Sequence, residues 1–280
     1  MKKEEGCVTM DLATLWQHLQ GDASAPRLHA PGADPARILV TSVEHDSRLV
    51  GPGSLFACVP GGKRDGHVFA EDARRRGASA LLVDHLLDLE IPQILVPDVR
   101  RFMGRAAAAL HRFPSDKLTL VALTGTNGKS TTTYMLRSVL QAAGTRTGLL
   151  GTIVYHDGCE EIEADRTTPE NTQIQSLLAR MVDNRCEACV METSSHGLEQ
   201  GRLEGCRFDR GGFTNLSPEH LDYHGTLEAY FEAKELLFRR YMKPCWAGAA
   251  NRKDPFGQRL LDAFPSELVG YASGQPRSGD

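Results

Sequence analysis

The segment LTLVALTGTNGKSTT, residues 118–132, restricts the fold more than any other stretch of the chain. Its first six residues, apolar except for Thr119, have the length of a buried strand, and Thr131 to Ala143 carries a helical periodicity that Gly144 closes. That periodicity predicts Met135, Leu136, Val139 and Leu140 on the inward face. A strand, a glycine-rich turn and a helix in register are the setting of a phosphate-binding loop. Gly125 and Gly128 let backbone N–H groups approach phosphate oxygens, and the helix N-terminus adds positive potential. Lys129 reaches the β- and γ-phosphates, and Ser130 offers a hydroxyl to Mg²⁺. Leu123 stands where the strict GxxxxGK[ST] pattern has glycine, so the generic match is incomplete.

Further strands fit TGLLGTI, CVME and GGFTNL, with helices near Thr172 to Asn184 and Leu227 to Tyr241. Alternating strands and helices predict an α/β protein with a doubly wound parallel sheet, whose ligands gather at the carboxyl ends of the strands. Glu192 ends CVME on that edge, the same edge as Ser130, and reads either as a magnesium-associated carboxylate or as a surface acid beyond a strand. His220, in SPEHLDYHG, is a metal ligand or a packed ring; His220, Asp222 and His224 together form an alternative transition-metal set.

The segment YFEAKELLF poses a different problem. At roughly 100° per residue, Leu227, Tyr230, Phe231, Leu237, Phe238 and Tyr241 fall on one apolar stripe, and Lys234 projects from its centre. Either the side chain snorkels to water or the position has a function that repays burying an amine.

Upstream, ILVTSV, SLFACVP, ALLVD and QILVP alternate with a helix from about His67 to Arg76, which predicts a small α/β domain. A helix follows from Arg100 to His111, and PSDK at 114–117 is a natural joint. The expected domains are therefore 1–115 and 116–280. MDLATLWQHL reads as the first amphipathic helix, with Met10 as an alternative start and residues 1–9 as a loose extension.

A net charge of −4 with interspersed signs argues against a nucleic-acid surface. No run approaches the ~18 apolar residues of a membrane span, and MKKEEGC does not lead into a secretory segment; a cytoplasmic protein without membrane contact is expected. An odd count of seven cysteines fits reduced thiols, and the single CxxC, Cys186 to Cys189, reads as packing. Oligomeric state is not legible.

Taken together, TGTNGKSTT, METSSHGLEQGR, FTNLSPEHLDYHG and YFEAK resemble the Mur ligases, ATP-dependent amide-forming enzymes of peptidoglycan assembly. HDSRLVGPGSLFACVPGGKRDGHVF is similar to the family's uridine-nucleotide domain, so the resemblance spans about residues 10 to 271. It is greatest to members that add a diamino acid, diaminopimelate or lysine, to UDP-N-acetylmuramoyl-L-alanyl-D-glutamate.

The resemblance implies an N-terminal UDP-muramoyl-binding domain and an incomplete P-loop-type ATP-binding domain. It implies that Gly125, Thr126, Asn127, Gly128, Lys129, Ser130 and Thr131 bind ATP, with Asn251 near the base. Ser130, Glu192, His220 and Lys234 would serve Mg²⁺, with Lys234 carbamylated by CO₂; Lys129, Lys234 and His220 would be the catalytic set. The UDP-muramoyl dipeptide would meet Ser47, Lys63, Arg64, Thr167, Thr168, Ser194, Gln200 and Arg202. Arg202 suits a bidentate pair with a carboxylate of the acceptor.

Three positions depart from the family pattern. Gly62 replaces histidine, Arg166 replaces asparagine and Lys253 replaces aspartate. The family's third domain has no counterpart in these residues, so weak ligand binding without ligation is expected of them alone. The implied chemistry runs through an acyl phosphate. A non-catalytic binding remnant, a folylpolyglutamate synthetase-like ligase and a simple P-loop kinase are the rival readings.

Overall fold

The structure, a computed structural model, describes residues 8–20, 26–61 and 64–272. Most of the proposed N-terminal extension, and Gly62 and Lys63, lie outside the described residues. Two compact units emerge: Met1–Pro114 with Asn171–Ser176, and Ser115–Glu170 with Leu177–Asp280.

The first unit contains β1 (Met10–Asp11), α1 (Leu12–Leu19), β2 (Arg27–His29), β3 (Leu39–Val40), β4 (Ser42–Glu44), β5 (Ser54–Ala57), α2 (Ala70–Arg75), β6 (Ala80–Val83), β7 (Gln93–Leu95) and α3 (Val99–Leu110). Its five-stranded sheet has the order β2-β7-β6-β5-β4 and is parallel except for β2. Alternate side chains feed opposite cores. Leu55, Ala57, Ala80 and Leu82 pack with α1 and α3, whereas Phe56, Cys58, Leu81 and Val83 pack with α2. A strand buried on both faces needs an apolar residue at every step, which is why these segments read as continuous apolar runs. The expected helix from His67 begins as a 3₁₀ turn, Gly66–Phe69, capped by Asp65.

The second unit contains β8 (Thr119–Thr124), α4 (Lys129–Ala142), β9 (Thr147–Leu150), β10 (Val154–His156), β11 (Glu161–Glu163), α5 (Asn171–Asp183, its first turns grouped with the first unit), β12 (Ala188–Glu192), α6 (Ser195–Glu199), β13 (Phe208–Phe213), α7 (Leu221–His224), α8 (Leu227–Arg240), β14 (Met242–Asn251), α9 (Pro255–Ala263) and β15 (Leu268–Tyr271). Its sheet runs β11-β10-β9-β12-β8-β13-β14-β15, parallel from β9 to β15, with β10 and β11 antiparallel. The chain leaves β8 toward β9 and later returns to β8's other side through β13. The carboxyl ends of β8, β12 and β13 thus flank a topological switch point, where open α/β sheets bind ligands.

One inward-facing prediction fails. Met135 and Val139 are each 64% exposed, while Leu136 and Leu140 pack against the sheet. The helix opens at Lys129, two residues earlier than the periodicity indicated, and its inner face centres on the buried Thr133. The four apolar residues were too broad an arc for one face. Cys186 and Cys189 are buried, and the described cysteines are all free, in keeping with packing. No helix of the described residues is long and apolar enough to cross a membrane.

Candidate nucleotide site

The loop after β8 is held by the segment that follows β13. Gly125 has φ +140°, and a Cβ there would lie 2.0 Å from the Thr214 hydroxyl, so only glycine fits. Thr126 N–H donates to Asn215 O at 2.8 Å, Asn127 N–H to Asn215 Oδ1 at 3.0 Å, and the Asn215 amide returns a bond to Asn127 O at 3.1 Å. Gly128, at φ +83°, then opens α4 from the left-handed region. These contacts rigidify the loop before any ligand arrives, which lowers the ordering cost of binding.

Lys129 Nζ donates to Gly125 O at 3.0 Å and Thr126 O at 2.7 Å. Burial pushes this ammonium below its ordinary range, with Glu192 and Glu219 opposing the shift. Ser130 Oγ donates to Glu192 Oε2 at 2.9 Å. The same carboxylate accepts from Thr152 N–H at 3.0 Å and from Thr152 Oγ at 3.1 Å. Glu192 is fully buried, so the surface-acid reading is excluded. A buried carboxylate joined to a hydroxyl at the mouth of a phosphate-type loop is an oxygen donor set suited to Mg²⁺, a hard cation that prefers carboxylate, hydroxyl and phosphate oxygens. The residues present therefore fit the group.

Lys234 lies on α8, one helical turn after Tyr230, and is only 1% exposed. Its Nζ donates to Gly125 O at 2.8 Å and sits 4.3 Å from the centroid of the Tyr230 ring. The amine does not snorkel. Burial first, and the charge of Lys129 second, lower it to about 7. Free base, the form that acts as a nucleophile, is thus accessible near neutral pH.

A cleft of about 360 Å³ collects many of the expected residues: Thr126, Asn127, Gly128, Lys129, Ser130, Thr131, Thr167, Glu192, Ser194 and His220 line it. Gly125 and Lys234 do not line it; both are buried and joined by their mutual bond, next to Thr126 of the lining. Beside it, Thr168 Oγ accepts from Ser194 N–H at 2.9 Å, Arg202 donates to Thr168 O at 3.0 Å, and Gln200 Oε1 accepts from Arg202 at 2.6 Å. Arg202 also lies 3.3 Å from Glu170. Asn251 ends β14 and donates to Thr214 O at 3.0 Å. Ser47 and Arg64 belong to the first unit, Ser47 in a 3₁₀ turn capped by Asp46 and Arg64 exposed.

His220 caps α7 at φ +55° and sets its ring 4.8 Å from His196, edge on. The alternative trio does not converge: His224 turns Nε2 to Ser195 Oγ at 3.0 Å and Nδ1 to Glu199 at 3.3 Å, and Asp222 is exposed. Of the departures within the described residues, Arg166 is exposed and pairs with Glu170, and Lys253 is exposed with its N–H on Asn251 Oδ1 at 3.1 Å.

Sequence reasoning missed Thr152 and Glu219, which line the same cleft. Thr152 follows β9, and its position at a strand's carboxyl end was a usable signal. Glu219 precedes His220 and receives the Tyr230 hydroxyl at 3.4 Å, a contact no spacing reveals.

Comparison with known proteins finds a match of residues 123–276 to the Mur ligase middle domain and of residues 39–111 to the Mur ligase family, catalytic domain. A UDP-N-acetylmuramoyl-L-alanyl-D-glutamate–2,6-diaminopimelate ligase from Geobacillus thermodenitrificans is 45% identical over 238 residues, covering 83% of this chain and 48% of the relative. One of the same name from Geobacillus kaustophilus is 41% identical over 268 residues, 94% of this chain and 53% of the relative. The chain thus spans about half the length of the curated relatives it matches. A solved ligase of that name superposes with a TM-score of 0.77 at 28% identity, over 95% of this chain and 53% of its own.

Proposed function

The chain belongs to the Mur ligase family, and from that premise we propose that it serves an ATP-dependent ligase joining a diamino acid to UDP-N-acetylmuramoyl-L-alanyl-D-glutamate in peptidoglycan synthesis. Since both relatives described above are named for 2,6-diaminopimelate, that is the amine proposed. The first unit takes the uridine nucleotide through Ser47, Lys63 and Arg64, and the second takes ATP. The cytoplasm, where thiols stay reduced, is the proposed compartment.

The observation that carries the reading is the buried Lys234 amine bonded to Gly125 O beneath the phosphate loop. A kinase-type loop has no use for a second buried lysine at this place. Two amines sharing one carbonyl repel each other when charged, and capture of CO₂ by the free base of Lys234 would replace that repulsion by attraction to Lys129. Carbamylated Lys234, Ser130, Glu192 and His220 are the residues proposed to serve Mg²⁺. When bound, the metal would neutralise phosphate charge.

In the proposed reaction the D-glutamate carboxylate attacks the γ-phosphorus of ATP, the bond to the ADP oxygen breaks, and an acyl phosphate forms. The diamino acid's amine then attacks the acyl carbon, losing a proton as phosphate departs. Lys129 contributes positive charge beside the phosphate oxygens over which the transition-state charge is spread, and Gly125 to Thr131 present backbone N–H groups to those oxygens. Thr167, Thr168, Ser194, Gln200 and Arg202 hold the acceptor, with Arg202 suited to a carboxylate.

Isothermal titration of this chain with Mg·ADP and with the UDP-muramoyl dipeptide tests the reading. Binding of both is expected; loss of both would make the chain a non-catalytic remnant. Isotopically labelled bicarbonate and carbon NMR should detect one carbamate that Lys234→Arg abolishes.

A further inference from the structure

We propose that His67, Asp84 and His85, at the carboxyl edge of the first unit's sheet, form a binding site for a first-row divalent transition metal of the zinc type. His67 lies on the 3₁₀ turn Gly66–Phe69, and Asp84 and His85 directly follow β6. Among the described residues, one donor atom from each of the three comes within 4.8 Å of the other two.

A buried ring nitrogen without a hydrogen-bond partner points to a ligand. His67 Nδ1 lies 2.6 Å from Asp65 Oδ1, a contact that orients the ring. Nε2 is directed the other way, toward Asp84. His67 is only 8% exposed, and its Nε2 is buried, lacks a hydrogen-bond partner and faces Asp84 Oδ1 at 3.2 Å. A ring nitrogen set against a carboxylate oxygen without a hydrogen bond is the arrangement that a cation between the two would complete.

His85 Nδ1 approaches the same Asp84 oxygen at 2.5 Å, and the two imidazoles stack with centroids 4.3 Å apart. Protonating both rings would stack two cations face to face. A divalent ion avoids this, because it binds neutral imidazoles and a carboxylate together. Two ring nitrogens and one carboxylate oxygen select zinc, cobalt or nickel over magnesium or calcium. Asp65 takes the place of the outer carboxylate that orients a metal-binding histidine. The His85 side chain is 60% exposed and Asp84's 34%, which leaves room for water in a fourth position. The turn is itself pinned: Gly66 N–H donates to Val59 O at 3.0 Å, and a Cβ at Gly66 would lie 2.6 Å from Val59 N.

Titration of the purified chain with Co²⁺ in excess Mg²⁺, followed by visible absorption and by competition with Zn²⁺, tests the proposal. One equivalent should bind without a thiolate-to-cobalt charge-transfer band. His85→Ala and Asp84→Asn should each weaken binding at least about tenfold, and Asp65→Asn by about 10–100-fold. His85 is exposed, so its variant keeps the fold. Absence of binding, a thiolate band, or an affinity unchanged in both His85→Ala and Asp84→Asn would overturn the site.

Discussion

Lys129 and Lys234 donate to the same acceptor, the carbonyl oxygen of Gly125, at 3.0 and 2.8 Å. They come from α4 and α8, 105 positions apart in the chain, and meet on one peptide group of the phosphate loop. Burial lowers the proton affinity of both amines, and the charge of Lys129 lowers that of Lys234 further.

The pH dependence of stability follows. The Lys234 amine titrates near 7 in the folded chain and near its ordinary 10.5 when unfolded. Between those values the unfolded chain binds more protons, so stability from this group rises with pH and is lowest below about pH 7. Lys234→Met removes a cost of at most a few kcal/mol. In CO₂-free buffer the variant should melt above the native chain near about pH 6, and the gap should narrow as the pH rises toward about 9. A gap that widens with pH would contradict this.

Glu192→Gln keeps the shape beside Ser130 and removes the charge. Mg²⁺ should tighten ADP binding to the native chain, and the variant should lose most of that enhancement, on the order of tenfold or more, as expected for loss of an anionic ligand. Titrations with and without chelator would read it; equal enhancement in both proteins would be incompatible with a metal at this carboxylate.

Gly125→Ala places a Cβ 2.0 Å from the Thr214 hydroxyl at φ +140°. A loss of about 1–3 kcal/mol is expected from the strain. Urea unfolding checks it, and an unshifted midpoint would show that the loop can re-form around the methyl group.

Thr168→Val deletes a fully buried hydroxyl that accepts from Ser194 N–H and donates to Glu192 O at 3.1 Å. The stranded groups should destabilise the chain by about 1–3 kcal/mol, and binding of the UDP-muramoyl dipeptide should weaken more than binding of ADP. Equal weakening of the two would indicate general loosening rather than a local role.

The alternation of apolar strands with helices determined the α/β architecture, because buried parallel strands require continuous apolar runs and their crossovers require helices. The strand, turn and helix around GKS were legible for the same local reason: they are contiguous in the chain. Helical spacing also exposed Lys234 as a lysine out of place. It did not say whether that amine reached water, since snorkelling and burial give one sequence pattern. Tertiary packing decided it by closing α8 over the loop, and the same packing turned Met135 and Val139 outward, joined Thr152 to Glu192 and set His67 against Asp84 and His85. Local order follows from neighbours in the chain. Burial, proton affinity and the meeting of distant side chains depend on what the folded sheet brings alongside.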